Sequence, residues 1–125
     1  MYDIDITKSL INIDKKLIPN KISIALFSYG LNEFYTAFRY LKSVLLYVFS
    51  KNTLSKETIK EATSVVAKHY NITHRRIITA INNLYDMLPA NFFFTSPLFV
   101  KIKMNCYHKT HFIAEMVLKD IQNYC

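Results

Sequence analysis

The chain has 125 residues, 51% of them hydrophobic, with nine phenylalanines, nine tyrosines, one glycine and three prolines. It is long enough for one domain with a real core, too apolar for a disordered chain, and too poor in turn formers for a many-stranded sheet. The net charge of +7 favours an anionic partner, although no basic run stands out and a basic surface with no nucleic-acid role is the alternative.

Cys106 and Cys125 are too few for a disulfide framework, and no signal peptide opens the chain. The expected setting is therefore the reducing cytoplasm, with free thiols. The longest strongly apolar run, residues 44–49, is too short to span a bilayer, so no membrane partner is expected. The expectation is an all-α protein: a single compact helical domain of about five or six helices containing a helix-turn-helix.

Residues 1–20 read as an N-terminal arm, flexible or extended. Asp3-Ile4-Asp5-Ile6 and Ile11-Asn12-Ile13-Asp14 alternate like strands, and a disordered or loosely docked arm is favoured over an edge hairpin. The helical domain occupies residues 21–125. Pro19 marks a helix start, with Ile22, Ala25 and Leu26 inward and Gly30 as the stop. Residues 31–49 form the longest helix, capped by Asn32. Phe34, Ala37, Phe38, Leu41, Leu45 and Val48 make its core-facing stripe. Residues 50–55 are a polar loop.

The helix-turn-helix lies at about residues 57–87. In the first helix, residues 57–69, Ile59, Ala62, Val65, Val66 and Tyr70 recur at three- and four-residue steps. Asn71 tolerates the left-handed conformation that closes a helix, and Thr73 can cap the next one. Ile77, Ile81, Leu84 and Leu88 form the inner stripe of the second helix, residues 74–87. Ala67 lets the two helices approach closely, and Ile72 and Ile77 fill the space between them. Opposite Ile77 lie Arg75, Thr79, Asn82 and Asp86, flanked by Arg76 and Asn83. Arginine suits guanine, asparagine suits adenine, and threonine suits base or phosphate, so this face can read base edges. An ordinary solvated face is the alternative. Against it, two arginines at a helix start oppose the macrodipole unless an anion lies nearby.

Pro89 ends the second helix. Phe92, Phe93 and Phe94 cannot all face one core, so they mark either a protein interface or a buried plug. Residues 98–104 alternate weakly and read as extended. Thr110 then caps a last helix with Phe112, Ile113, Met116, Val117 and Ile121 inward.

Cys106, His108 and His111 lie close together, but their spacing matches no zinc finger or ribbon, and no metal is expected. His69 and His74 flank the turn, where a partly exposed histidine suits phosphate. With no nucleophile elbow, no phosphate loop and few carboxylates, neither enzymatic activity nor a cofactor is expected.

Three stretches carry a resemblance. Val66-Ala67-Lys68-His69-Tyr70-Asn71-Ile72-Thr73, with Arg76-Ile77 and Ala80-Ile81, forms the first. Gly30-Leu31 with Tyr40-Leu41-Lys42 and then Phe112-Ile113-Ala114 follow at compatible spacing. Over residues 22–121 the chain resembles the DNA-binding effector domain of the sporulation response regulator, stage 0 sporulation protein A, without its receiver domain. The resemblance implies a transcriptional regulator on double-stranded DNA. Its partners would be a second copy of the chain on DNA, or a transcription or sporulation protein. Where the family's recognition helix has Glu and Arg, this chain has Ile78 and Thr79; where it has Arg and His, this chain has Asn82 and Asn83. Of the family's DNA-contact positions, only Arg76 keeps its type.

The expected DNA-binding residues are Arg75, Arg76, Thr79, Asn82, Asn83, Lys68 and His74, with Lys68 at the rim on phosphate. The alternative is a protein-interaction module or antagonist that keeps the scaffold without reading DNA. Its interface would use Ile78, Phe92, Phe93 and Phe94.

Overall fold

The computed structural model describes residues 3–11, 13–89, 92 and 105–123. Among these the chain is mostly helical, with six helices and one two-stranded sheet. The order is β1 (Ile4–Asp5), α1 (Thr7–Leu10), α2 (Ile18–Ser28), α3 (Thr36–Ser50), β2 (Thr53–Leu54), α4 (Lys56–His69), α5 (His74–Tyr85) and α6 (Cys106–Asn123).

Residues 1–20 contain more structure than a loose arm. Ile4 pairs antiparallel with Leu54 and Asp5 with Thr53, so β2 forms inside the expected polar loop. The Ile6 amide then donates to the Asn52 carbonyl at 3.0 Å, and the Ile6 side chain is fully buried. Asp5 Oδ1 accepts the Thr7 amide at 2.9 Å and starts α1. Among the described residues around Ile13 no strand forms. Ile13 instead closes a turn on the Leu10 carbonyl and buries its side chain.

Pro19 sits in the first turn of α2, where its missing N–H costs nothing. The helix ends in a paired cap: the Leu31 amide reaches the Leu26 carbonyl at 3.2 Å and the Gly30 amide reaches Phe27 at 3.0 Å. Gly30 takes φ +96°, which a side chain would resist.

The central helix begins later than its apolar pattern suggests. Asn32 Oδ1 accepts the Phe34 amide in a tight side-chain turn, so residues 31–35 stay outside the helix and α3 starts at Thr36. Phe34, expected in the core, is 87% exposed. From Phe38 to Phe49 the stripe is buried as its spacing requires, and α3 packs against α2, α4 and α5. Tyr47 on α3 donates to Glu61 of α4 at 2.5 Å. α6 lies on α2, α4 and α5 and closes the bundle.

α4 and α5 occupy the positions the periodicity assigns. Ser55 caps α4 by accepting the Thr58 amide at 3.1 Å. Val65 and Tyr70 are the exceptions on the expected inner stripe, since both are exposed. At the other end the Ile72 amide bonds Ala67 at 3.0 Å, the Asn71 amide bonds Lys68 at 3.2 Å, and Asn71 takes φ +57°. Thr73 Oγ1 accepts the Arg76 amide at 3.1 Å and opens α5. α5 ends at Tyr85, two residues short of the expected limit, and Leu88 still folds into the core.

α6 starts four residues before Thr110. Asn105 Oδ1 accepts the His108 amide at 3.0 Å and is the cap. Thr110 lies within the helix, its hydroxyl donating back to the Cys106 carbonyl at 2.8 Å. The extended reading of residues 98–104 falls outside the described residues.

The left-handed turn residue gives a test. Asn71→Ala should lower unfolding free energy by about 1–2 kcal/mol, because a Cβ without a compensating side-chain bond resists positive φ. Asn71→Gly should be neutral or mildly stabilising. Urea unfolding followed by circular dichroism separates the two.

Candidate nucleic-acid interface

α5 is amphipathic, and its two faces have different work. Ile77, Ile81, Leu84 and Tyr85 point into the core. Arg75, Arg76, Thr79 and Asn83 are exposed, and Asn82 is half-buried beside them. One helix face therefore presents two guanidinium groups, a hydroxyl and two amides. Among the described residues neither arginine pairs with a carboxylate.

The electrostatics of the two motif helices are opposite. α4 opens on Lys56 but sets Glu57 beside it in the first turn, and it ends with Lys68 and His69, whose sign matches the helix dipole. α5 has no acidic residue in its first turn and instead begins His74-Arg75-Arg76. The positive end of its dipole therefore carries further positive charge. An anion placed there would gain from both the arginines and the dipole.

His74 is tied to the scaffold. Its Nε2 lies 2.7 Å from Thr63 Oγ1, and the Thr63 hydroxyl spends its own proton on the Lys60 carbonyl at 2.9 Å. His74 Nε2–H is thus the donor, and the ring pins the start of α5 to the middle of α4. Lys68 is exposed in the last turn of α4, and His69 is exposed next to Tyr70, ring to ring at 5.0 Å.

Of the four residues expected at a protein interface, the structure describes Ile78 and Phe92. Ile78 is half-buried against the core rather than freely exposed. Phe92 is half-buried between Tyr29, at 5.7 Å, and Phe112, at 6.1 Å. Phe93 and Phe94 lie outside the described residues.

Beside Asn82 lies a cleft of about 420 Å³ that also takes in Ile78, Asp86, Asn105, Tyr107 and Lys109. Lys60 reaches over the Tyr107 ring at 5.6 Å. The sequence holds no local sign that the start of α6 borders α5, because that contact depends on tertiary packing. Among the described residues no three of His, Cys, Asp and Glu converge as metal ligands. His111 is buried with Nδ1 2.9 Å from Glu115, and Cys106 lies against Thr110. No described helix is long and apolar enough to cross a membrane. No protein-family model, curated protein or solved structure matches the chain.

Behind the exposed face, Tyr85 donates to Thr110 Oγ1 at 2.6 Å, since that hydroxyl's proton goes to Cys106. Burial pushes the Cys106 thiol up to about 11 from 9.0, and burial first, then Cys106, drives Tyr85 well above its usual value. Both groups hold a proton more tightly folded than unfolded. The stability they confer is complete below the unfolded thiol value and drains as pH rises toward about 11. The urea midpoint should therefore fall above pH 9, and Cys106→Ala should make that fall shallower. An equally steep fall in the variant would remove Cys106 from the account.

Proposed function

We propose that this protein is a small DNA-binding transcriptional regulator that lays α5 in a major groove, similar in scaffold to the sporulation effector domain but altered in readout. The observation that carries the reading is the exposed cationic start of α5, set against the dipole of its own helix. Arg75 and Arg76 would meet bases or phosphates, Thr79, Asn82 and Asn83 would face base edges, and Lys68 would hold backbone at the rim. His74 would act mainly by fixing the angle of α5, because its Nε2 is engaged by Thr63. The alternative, a protein-interaction module, rests on Ile78, Phe92, Phe93 and Phe94, of which Ile78 and Phe92 are described. Both are half-buried within the fold, so they support it less.

Replacing Arg75 and Arg76 with Ala should weaken specific binding by about 1–3 kcal/mol for each arginine that reads a base bidentately. An arginine that holds only phosphate would weaken all duplexes alike and lower the salt slope by about one. Fluorescence anisotropy at several salt concentrations reads both quantities. Unchanged affinity in the double variant would move DNA contact off α5.

Base preference is the second test. Ile78 cannot accept a hydrogen bond from cytosine, and Thr79 is too short for bidentate pairing with guanine, while Asn82 and Asn83 suit adenine. Selection from random duplexes should recover a site richer in A·T than the sporulation box of the resembled family. Tighter binding to that box than to every recovered site would defeat the expectation. Recovery of no site at all would favour the protein-interaction alternative.

A further inference from the structure

The N-terminal segment does not seal the end of α3. Among the described residues it leaves a hollow of about 440 Å³, bounded by α1 and the turn after it, the start of α2 and the end of α3. Buried Ile13, Ile18 and Phe49 form its apolar side, with Leu10 and Leu46 half-buried beside them. Ile11 also lines it and is 70% exposed, so part of the apolar lining faces solvent. Size and lining are those of a small-molecule pocket, which joins an apolar wall to a few polar groups.

The polar groups select the ligand. Lys15 is the one charged side chain among the lining residues, and it forms no ion pair among the described residues. Asn52 lines the hollow too. Its carbonyl accepts the Ile6 amide, while its side-chain amide makes no hydrogen bond among the described residues. An ammonium and an amide N–H are therefore donors left for a ligand. Ser50 has spent its proton on the Tyr47 carbonyl, and Thr7 is engaged with Asp5.

Charge around the opening has the same sense. Asp5 accepts the Thr7 amide, Asp14 accepts the Lys16 amide, and neither lines the hollow. Across residues 5–16 and 46–52, Lys8, Lys15, Lys16 and Lys51 stand against those two aspartates. An anion is the complementary head group. A polyphosphate would find a single lysine in the lining, and a nucleobase would find no ring except the buried Phe49. A protein partner would need an open channel, whereas three segments bound this hollow.

We propose that the hollow binds a small aliphatic carboxylate, its chain against Ile13, Ile18, Leu46 and Phe49 and its carboxylate on Lys15 and the Asn52 amide. The site does not depend on DNA binding. Octanoate is the probe. Two-dimensional NMR of the nitrogen-15-labelled full chain should show saturable shifts centred on the amides of residues 7–19 and 46–52. From hexanoate to decanoate, affinity should rise about three- to fourfold per methylene, and the gain should stop at or before dodecanoate, once the hollow is full. Octylammonium, equal in length and opposite in charge, should bind at least about tenfold more weakly than octanoate. Lys15→Glu should weaken octanoate about tenfold and remove that preference. Lys119→Glu, the same charge change on α6, should alter neither. Lys15 is exposed, and the amide spectrum elsewhere checks the fold; Lys15→Met is the substitute should the glutamate disturb it. No saturable shift at about 10 mM octanoate would overturn the proposal, as would equal binding of octylammonium. Affinity still climbing through dodecanoate would mean adsorption to apolar surface, and binding indifferent to Lys15 would place the carboxylate elsewhere. Either result defeats the site.

Discussion

The reversal between α4 and α5 is the constraint on which the candidate site depends. It is made from few groups. The Ile72 amide reaches back to Ala67, Asn71 takes positive φ, and Thr73 turns its hydroxyl onto the Arg76 amide. Each of these satisfies a backbone group that a helix end leaves without a partner, so the turn is held by local bonds before any tertiary contact forms. Thr63 and His74 then set a cross-brace between the two helices, and Ile77 locks the inner face. The exposed residues of α5 need no support of their own. Their direction follows from the turn and the buried stripe behind them.

That locality explains what could be read from the residues alone. Asn71 and Thr73 have side chains whose chemistry names a left-handed closure and a helix cap, and both roles appear where the spacing puts them. Asn32 and Thr110 show the limit. Each is a residue type that caps helices, yet Asn32 closes a turn one step earlier and Thr110 bonds back within a helix that has already begun at Cys106. A short polar side chain has several local partners within reach, and tertiary packing selects among them. Phe34 fails for a related reason, since its apolar character says nothing about whether the backbone at that position is helical. The burial of Ile6 depends on β2, nearly fifty residues away in the chain, and no local pattern carries that information.

The same division holds at the candidate interface. Arg75, Arg76, Thr79 and Asn83 were legible as an outward face because helix periodicity fixes them opposite Ile77. Ile78 and Asn82 were not fully legible, because the start of α6 covers part of their side of the helix. Electrostatics separates the two motif helices more sharply than pattern does. α4 offsets the Lys56 at its positive end with Glu57, whereas α5 leaves its positive end with three consecutive basic residues and no carboxylate. A helix that needed only to fold would do better with an acidic first turn. The arrangement in α5 becomes favourable once a polyanion occupies that end.

The outer faces of α2 and α5 belong to different parts of the bundle. α3 packs against both α2 and α5, and α6 closes over both. α2 itself holds one charged side chain, Lys21, while the α5 face carries adjacent arginines, so the two differ in their response to salt. Attraction to a polyanion weakens steeply as counterions are added, whereas burial of phenylalanine does not. Contact of a polyanion with α5 should therefore weaken as salt is raised. If two copies pair symmetrically on DNA, a two-fold axis relates their α5 helices. A symmetric protein reads a symmetric site, so the two half-sites it contacts would be inverted copies of one another. A direct repeat recovered as the preferred site would mean that the copies do not pair about a two-fold axis.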